Sequence, residues 1–211
     1  MRNHIKFVIY LIVTTCFSSA IADDKVSFFR AVGVDNVSTV NSLLAAGFDP
    51  NALDEKGQVA LYVALREESS KVVKALLAHP ALKADHSNAV GETPLMMAAM
   101  RGHLEAATEL MGKGAAVNRT GWTPLHYAAS SPHVAMVRLL LDKGAVIEAE
   151  SPNKTTPLMM ASRYGTEEVA NLLLARGASA KARNDQALGP ADFARLAGRE
   201  ALARKLDEAA R

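Results

Sequence analysis

Met96, Met97, Met100, Met159 and Met160 are the residues whose chemistry comes first to mind, because thioether sulfur is a soft ligand suited to Cu(I). Their spacing argues for a plainer use. The two groups are far apart in the chain with His126 and Tyr127 between them, and unbranched methionine fills irregular gaps in helical cores, so we read them as core. His79 and His86 flank an irregular stretch where a metal site would be weak at best. No nucleophile–base pair, glycine-rich phosphate loop or metal-ligand spacing stands out, and the carboxylates are scattered over positions expected to be exposed. These residues predict no catalytic group, no metal and no cofactor.

What positions any site here is a repeat. Thr93-Pro94-Leu95-Met96-Met97-Ala98-Ala99 returns as Thr123-Pro124-Leu125-His126-Tyr127-Ala128-Ala129 and as Thr156-Pro157-Leu158-Met159-Met160-Ala161-Ser162. With weaker copies included, the equivalent first positions are Val26, Val59, Thr93, Thr123, Thr156 and Gly189, separated by 33, 34, 30, 33 and 33 residues. A period near 33 identifies a repeat array. Threonine caps a helix N-terminus with its hydroxyl, and proline at the next position lacks an N–H that would be unsatisfied there, so each Thr-Pro predicts a helix start. Leu95, Ala98 and Ala99 then form an apolar face, and the paired alanines allow a neighbour to approach closely. After the turn Arg101-Gly102-His103 a second helix carries Leu104, Ala107, Leu110 and Met111. Gly114, like Gly47, Gly144 and Gly177, is placed to end it.

These motifs resemble the ankyrin-repeat family. The matching residues are Gly91-x-Thr-Pro-Leu with Ala98-Ala99 and Gly102-His103; Gly121-Trp-Thr-Pro-Leu-His126 with Leu139-Leu-Leu-x-x-Gly144-Ala145; and Thr156-Pro-Leu with Leu172-Leu-Leu-x-x-Gly177-Ala178. The resemblance implies an all-α ankyrin-repeat solenoid of about six helix-turn-helix repeats with short finger loops and degenerate caps. The repeats run at about 24–52, 53–86, 87–118, 119–149, 150–182 and 183–211. It also implies structural roles for His103 and His133, and for His126 a hydrogen bond that ties neighbouring repeats together.

Residues 1–22 do not fit the array. Arg2, His4 and Lys6 precede an apolar run from Phe7 to Phe17, and Ala20-Ile21-Ala22 supplies a small-x-small cleavage pattern, so they read as a secretory signal peptide. The expected destination is the bacterial periplasm, with secretion as the alternative and no stable membrane insertion after cleavage. Removing the leader leaves 22 basic against 22 acidic residues, where the whole chain carries +2. A neutral chain without a basic stripe gives no footing for nucleic acid. The single cysteine, Cys16, leaves with the leader, so no disulfide or thiolate chemistry remains. One domain and a monomer are expected.

The first repeat has Val26-Ser27-Phe28-Phe29 for Thr-Pro-Leu-His, as suits an end. The second ends at His79-Pro80 where glycine normally stands, which predicts an altered loop through Asp85. Three residues are missing between the third and fourth repeats, which predicts a shortened finger and a notch beside Trp122, the only tryptophan. Lys154 occupies the usual finger glycine of the fifth. In the last, Arg199 and other charges around Leu202 and Leu206 suit a C-terminal cap.

The family commonly binds proteins through its fingers and the ends of its first helices. Carried over position by position, this implies partner-binding roles for Arg66, Met100, Arg101, Arg163 and Tyr164 at helix ends and for Lys56, Glu92 and Trp122 on fingers. The expected function is a non-catalytic protein-protein interaction module of the bacterial envelope. Accessory support of an exported or stress-defence enzyme, neutralisation of a toxic effector as an immunity protein, and an envelope scaffold are the roles left open.

Overall fold

Helices begin where the repeated spelling puts a capping residue before proline. In a computed structural model, which describes residues 23–211, the Thr93 and Thr156 hydroxyls accept the N–H of Met96 and Met159 at 3.3 and 3.5 Å. The expected leader, residues 1–22, lies outside the described residues. The described chain divides into two compact units, up to Leu82 and from Lys83 to Arg211, with the boundary in the irregular stretch after His79-Pro80.

The first unit contains α1 (23–33), α2 (Val37–Ala45), α3 (Ala60–Arg66) and α4 (Ser70–Ala78). Its degenerate first repeat is held by aromatic packing: Phe28 is fully buried with its ring centroid 4.4 Å from that of Phe48. Asp35 replaces a turn glycine at φ 54°, and its carboxylate accepts the Lys71 and Val72 N–H groups at 2.9 Å. A carboxylate on two orphan N–H groups favours the start of α4. That helix ends at an extended His79, as the missing glycine predicts.

The second unit contains four helix pairs: α5 (Pro94–Arg101) with α6 (Leu104–Gly112), α7 (Pro124–Ala129) with α8 (Val134–Asp142), α9 (Pro157–Arg163) with α10 (Glu167–Ala175), and α11 (Pro190–Leu196) with α12 (Glu200–Ala209). First helices pack in the order α5, α7, α9, α11, and α8 lies between α6 and α10. Leu95, Ala98, Ala99, Leu125, Ala128, Ala129, Leu158 and Ala161 are wholly buried, as their spacing requires. Leu104, the first residue of α6, stays 40% exposed, and Ala106 joins Ala107 and Leu110 inside. Outside helices the described residues hold only an isolated bridge between Leu53 and Val59. No described helix is long and apolar enough to cross a membrane.

Two close approaches at glycines lock consecutive pairs, one against a side chain of the next repeat and one against the backbone of the preceding repeat. A β-carbon on Gly102 would fall 2.5 Å from the His133 ring, and one on Gly165 would fall 2.2 Å from the Ala129 carbonyl oxygen. On its far side Gly165 meets Arg199, whose Nη1 donates to the carbonyls of Ala161, Ser162 and Gly165 at 2.9 to 3.0 Å. Arg199 therefore caps the C-terminal end of α9 from the following repeat, where a cation also suits the helix dipole.

Candidate partner-binding site

The position three residues beyond the capping residue of each first helix in the second unit shows how local chemistry builds the site. There it offers an acceptor to the N–H of the capping residue. Met96 and Met159 do so with Sδ at 3.4 and 3.5 Å, Asp192 with Oδ2 at 2.9 Å, and His126 with Nδ1 at 3.2 Å from the Thr123 N–H. Met96, Met97 and Met159 thus fill the core as expected, and the sulfurs of Met96 and Met159 have a specific task there. Met100, exposed at the end of α5, and half-buried Met160 depart from the core reading because their positions face the open side of the first helices.

His126 alone can do more. With Nδ1 accepting from Thr123, the ring proton sits on Nε2, which donates to the Thr155 carbonyl of the next repeat at 2.9 Å. This is the tie implied by the family resemblance. The side chain is fully buried, and that burial lowers its pKa, more than the Thr155 and Ala149 carbonyls raise it.

The missing three residues reshape the finger above this histidine. In neighbouring repeats a side chain five residues before the capping position closes the finger on itself. Asn88 Oδ1 accepts the Val90 and Glu92 N–H groups, Ser151 Oγ that of Thr155, and Asn184 Oδ1 those of Gln186 and Leu188. A second residue, three positions earlier, reaches forward: Asp85 accepts the Ala116 N–H and Glu148 the Ser179 N–H. Asn118 stands at the closing position but performs the forward task, accepting the Val146 N–H at 2.9 Å and donating to the Gly144 carbonyl at 2.8 Å. The shortened finger therefore has no such side chain left to close it. Trp122 sits directly against the capping Thr123, with its ring edge-on to His126 at 5.2 Å.

Beside Trp122 lies a cavity of about 230 Å³ lined by Met100, Trp122, His126, Tyr127, Ser130 and Met160. Three consecutive repeats contribute to it. Tyr127 is fixed in place: its hydroxyl donates to Glu92 Oε1 at 2.8 Å, and Glu92 Oε2 accepts the Asn88 amide at 2.9 Å. Ser130 Oγ donates to the Tyr127 carbonyl at 2.8 Å.

Of the residues named from sequence, Trp122 and Met100 line this cavity, and Glu92 buttresses its wall. Arg101 follows Met100 on the exposed end of α5. Arg163 and Tyr164 end α9, the guanidinium 5.3 Å from the centre of the tyrosine ring. Arg66 and Lys56 belong to the first unit. Arg66 bonds Glu67 at 2.8 Å and also Gln58, while Lys56 borders a separate cavity with Val26, Phe29 and Glu55. Tyr127 and Met160 were not singled out as site residues. They occupy equivalent places in their repeats, but so does Met97, which is 5% exposed, so register alone could not select them.

The sequence profile for ankyrin repeats in three copies matches residues 28–120 and 116–184. The chain belongs to the ankyrin-repeat family, whose members are characteristically protein-protein interaction modules. It is 43% identical over 70 residues to a poly [ADP-ribose] polymerase tankyrase of Caenorhabditis elegans, across 32% of this chain and 3% of the other. It is 35% identical over 86 residues to an ankyrin repeat and SAM domain-containing protein 6 of Danio rerio, across 41% and 11%. The chain thus spans only a small part of these relatives' length. A solved structure of the predatory endopeptidase Bd0816 from Bdellovibrio bacteriovorus in complex with immunity protein Bd3460 contains a similar chain. The match has TM-score 0.73 and 26% identity and covers 86% of this chain and 97% of that one.

Proposed function

We propose that this chain is a non-catalytic protein-binding module, exported to the bacterial envelope, that docks one partner protein on the face formed by Trp122, Met100 and the adjoining helix ends. The observation that carries the reading is the Trp122 cavity, assembled from three repeats and held open by the Tyr127–Glu92–Asn88 chain of hydrogen bonds. A surface fixed before binding loses little conformational freedom on docking, and aromatic and arginine anchors commonly carry most of an interface's affinity. The leader-like residues 1–22 support export. The structural similarity to a chain from an endopeptidase–immunity protein complex supports an inhibitory role toward an exported enzyme over an accessory one.

The test is affinity capture from an envelope extract with the wild-type chain and with Trp122→Ala and Leu104→Ala, followed by assay of the captured partner. The expected result is one partner lost with Trp122→Ala, retained with Leu104→Ala, and inactivated at equal stoichiometry by the wild-type chain. A partner whose activity rises or persists in the complex overturns the inhibitory role. Equal capture by all three chains overturns the docking face.

A further inference from the structure

The hydrogen bonds around the Trp122 cavity restrict what can occupy it. Each polar side chain in the wall has an internal partner: both His126 ring nitrogens, the Tyr127 hydroxyl with Glu92, and the Ser130 hydroxyl with a backbone carbonyl. The Trp122 indole N–H is the exception, with no hydrogen-bond partner among the described residues. An occupant could give that N–H one acceptor but would lose its other water contacts without replacement, so the interior favours a largely apolar group. Two methionine thioethers and two aromatic rings favour a ring in particular, through sulfur–aromatic and ring–ring contact. At about 230 Å³ the space is smaller than the roughly 300–1,000 Å³ of sites that enclose whole small ligands, and it matches one side chain.

The rim supplies the second restriction. Exposed Arg101 follows Met100, and exposed Arg163 lies three residues beyond Met160. Arginine at such a rim favours carboxylates on the partner.

We infer that the partner protein seats one aromatic side chain of the phenylalanine class in the Trp122 cavity, from an acidic segment whose carboxylates face Arg101 and Arg163. This rests on the docking reading above and specifies its anchor. The test uses the full exported chain labelled with [13C-methyl]methionine and three probes: acetyl-Glu-Phe-Glu-amide, acetyl-Glu-Ala-Glu-amide and acetyl-Lys-Phe-Lys-amide. With the first probe, the Met100 and Met160 methyl signals and the emission of the lone tryptophan should move, while the buried Met96, Met136 and Met159 signals stay put. The alanine probe should bind at least tenfold more weakly and the lysine probe at least threefold more weakly. Equal binding of the alanine and phenylalanine probes, or preference for the lysine probe, overturns the inference. If Trp122→Ala abolishes partner capture while the probes show no preference for phenylalanine, the anchor inference falls and the docking reading stands. If neither Trp122→Ala nor Met100→Ala alters capture, both fall.

Discussion

Replacing Arg199 by methionine keeps the long apolar stem and removes the guanidinium. One nitrogen of that group serves three carbonyls of the preceding repeat, Ala161, Ser162 and Gly165, at 2.9 to 3.0 Å. Ala161 O also accepts the Gly165 N–H at 3.1 Å, so the loss falls mainly on Ser162 and Gly165. Ser162 is wholly buried. Hydrogen bonds to a charged group contribute about 1.5–3 kcal/mol, and an orphaned buried carbonyl costs about 1–3. Because Arg199 is itself partly exposed, water can relieve some of the loss, and we expect a net destabilisation of about 2 kcal/mol. In a chain of this size that lowers Tm by roughly 4–8 °C. Nearest-neighbour coupling in repeat proteins should concentrate the damage at the C-terminal repeats. Urea unfolding measures the first quantity, and amide hydrogen exchange in α11 and α12 the second. Arg199→Lys, with a compact ammonium on a shorter reach, should recover only part of the loss. A loss for Arg199→Met below about 0.5 kcal/mol, the ordinary range of surface changes, would refute this reading of Arg199 as a cap.

Gly165→Ala should destabilise by about 1–3 kcal/mol or prevent folding, because its β-carbon would meet a backbone oxygen at 2.2 Å; wild-type Tm would contradict this. Lys154 sits at φ 59° where the finger normally has glycine, so Lys154→Gly should stabilise by about 1 kcal/mol in urea unfolding despite losing the 3.3 Å contact with Asp185. His126 is buried with a lowered pKa, so the unfolded chain takes up its proton first as pH falls. Its contribution is complete above its ordinary value of 6.5 and declines from there through the lowered value. Stability measured from about pH 7.5 to 5 should therefore fall less steeply in His126→Gln than in wild type, and equal slopes would count against the buried neutral ring.

The helix pairs were legible because their signals are local: a capping threonine, an adjacent proline and a small-residue face recur at one register. The His126 tie was legible only through the family pattern, since the Thr155 carbonyl lies 29 residues away. The cavity was half visible. A missing finger segment beside the lone tryptophan pointed to Trp122, yet the wall formed by Tyr127 and Met160 depends on how three repeats meet. Arg199 was legible only as one of the charges suited to a C-terminal cap, not as a contact to the preceding repeat. Its place one residue after Gly198, matching His103 after Gly102, could have marked it as facing the preceding repeat. Glu92 shows the opposite difficulty: an exposed-looking finger acid whose carboxylate holds Tyr127 and Asn88.

Site-specific photo-crosslinking in intact cells would show whether a partner protein sits over the Trp122 cavity. A benzophenone amino acid would be placed singly at Trp122, Met100, Leu104 and Val146, all at least partly exposed. One shared protein adduct is expected at 122 and 100 and none at 104 or 146. An adduct at 104 or 146 with none at 122 and 100 would contradict it.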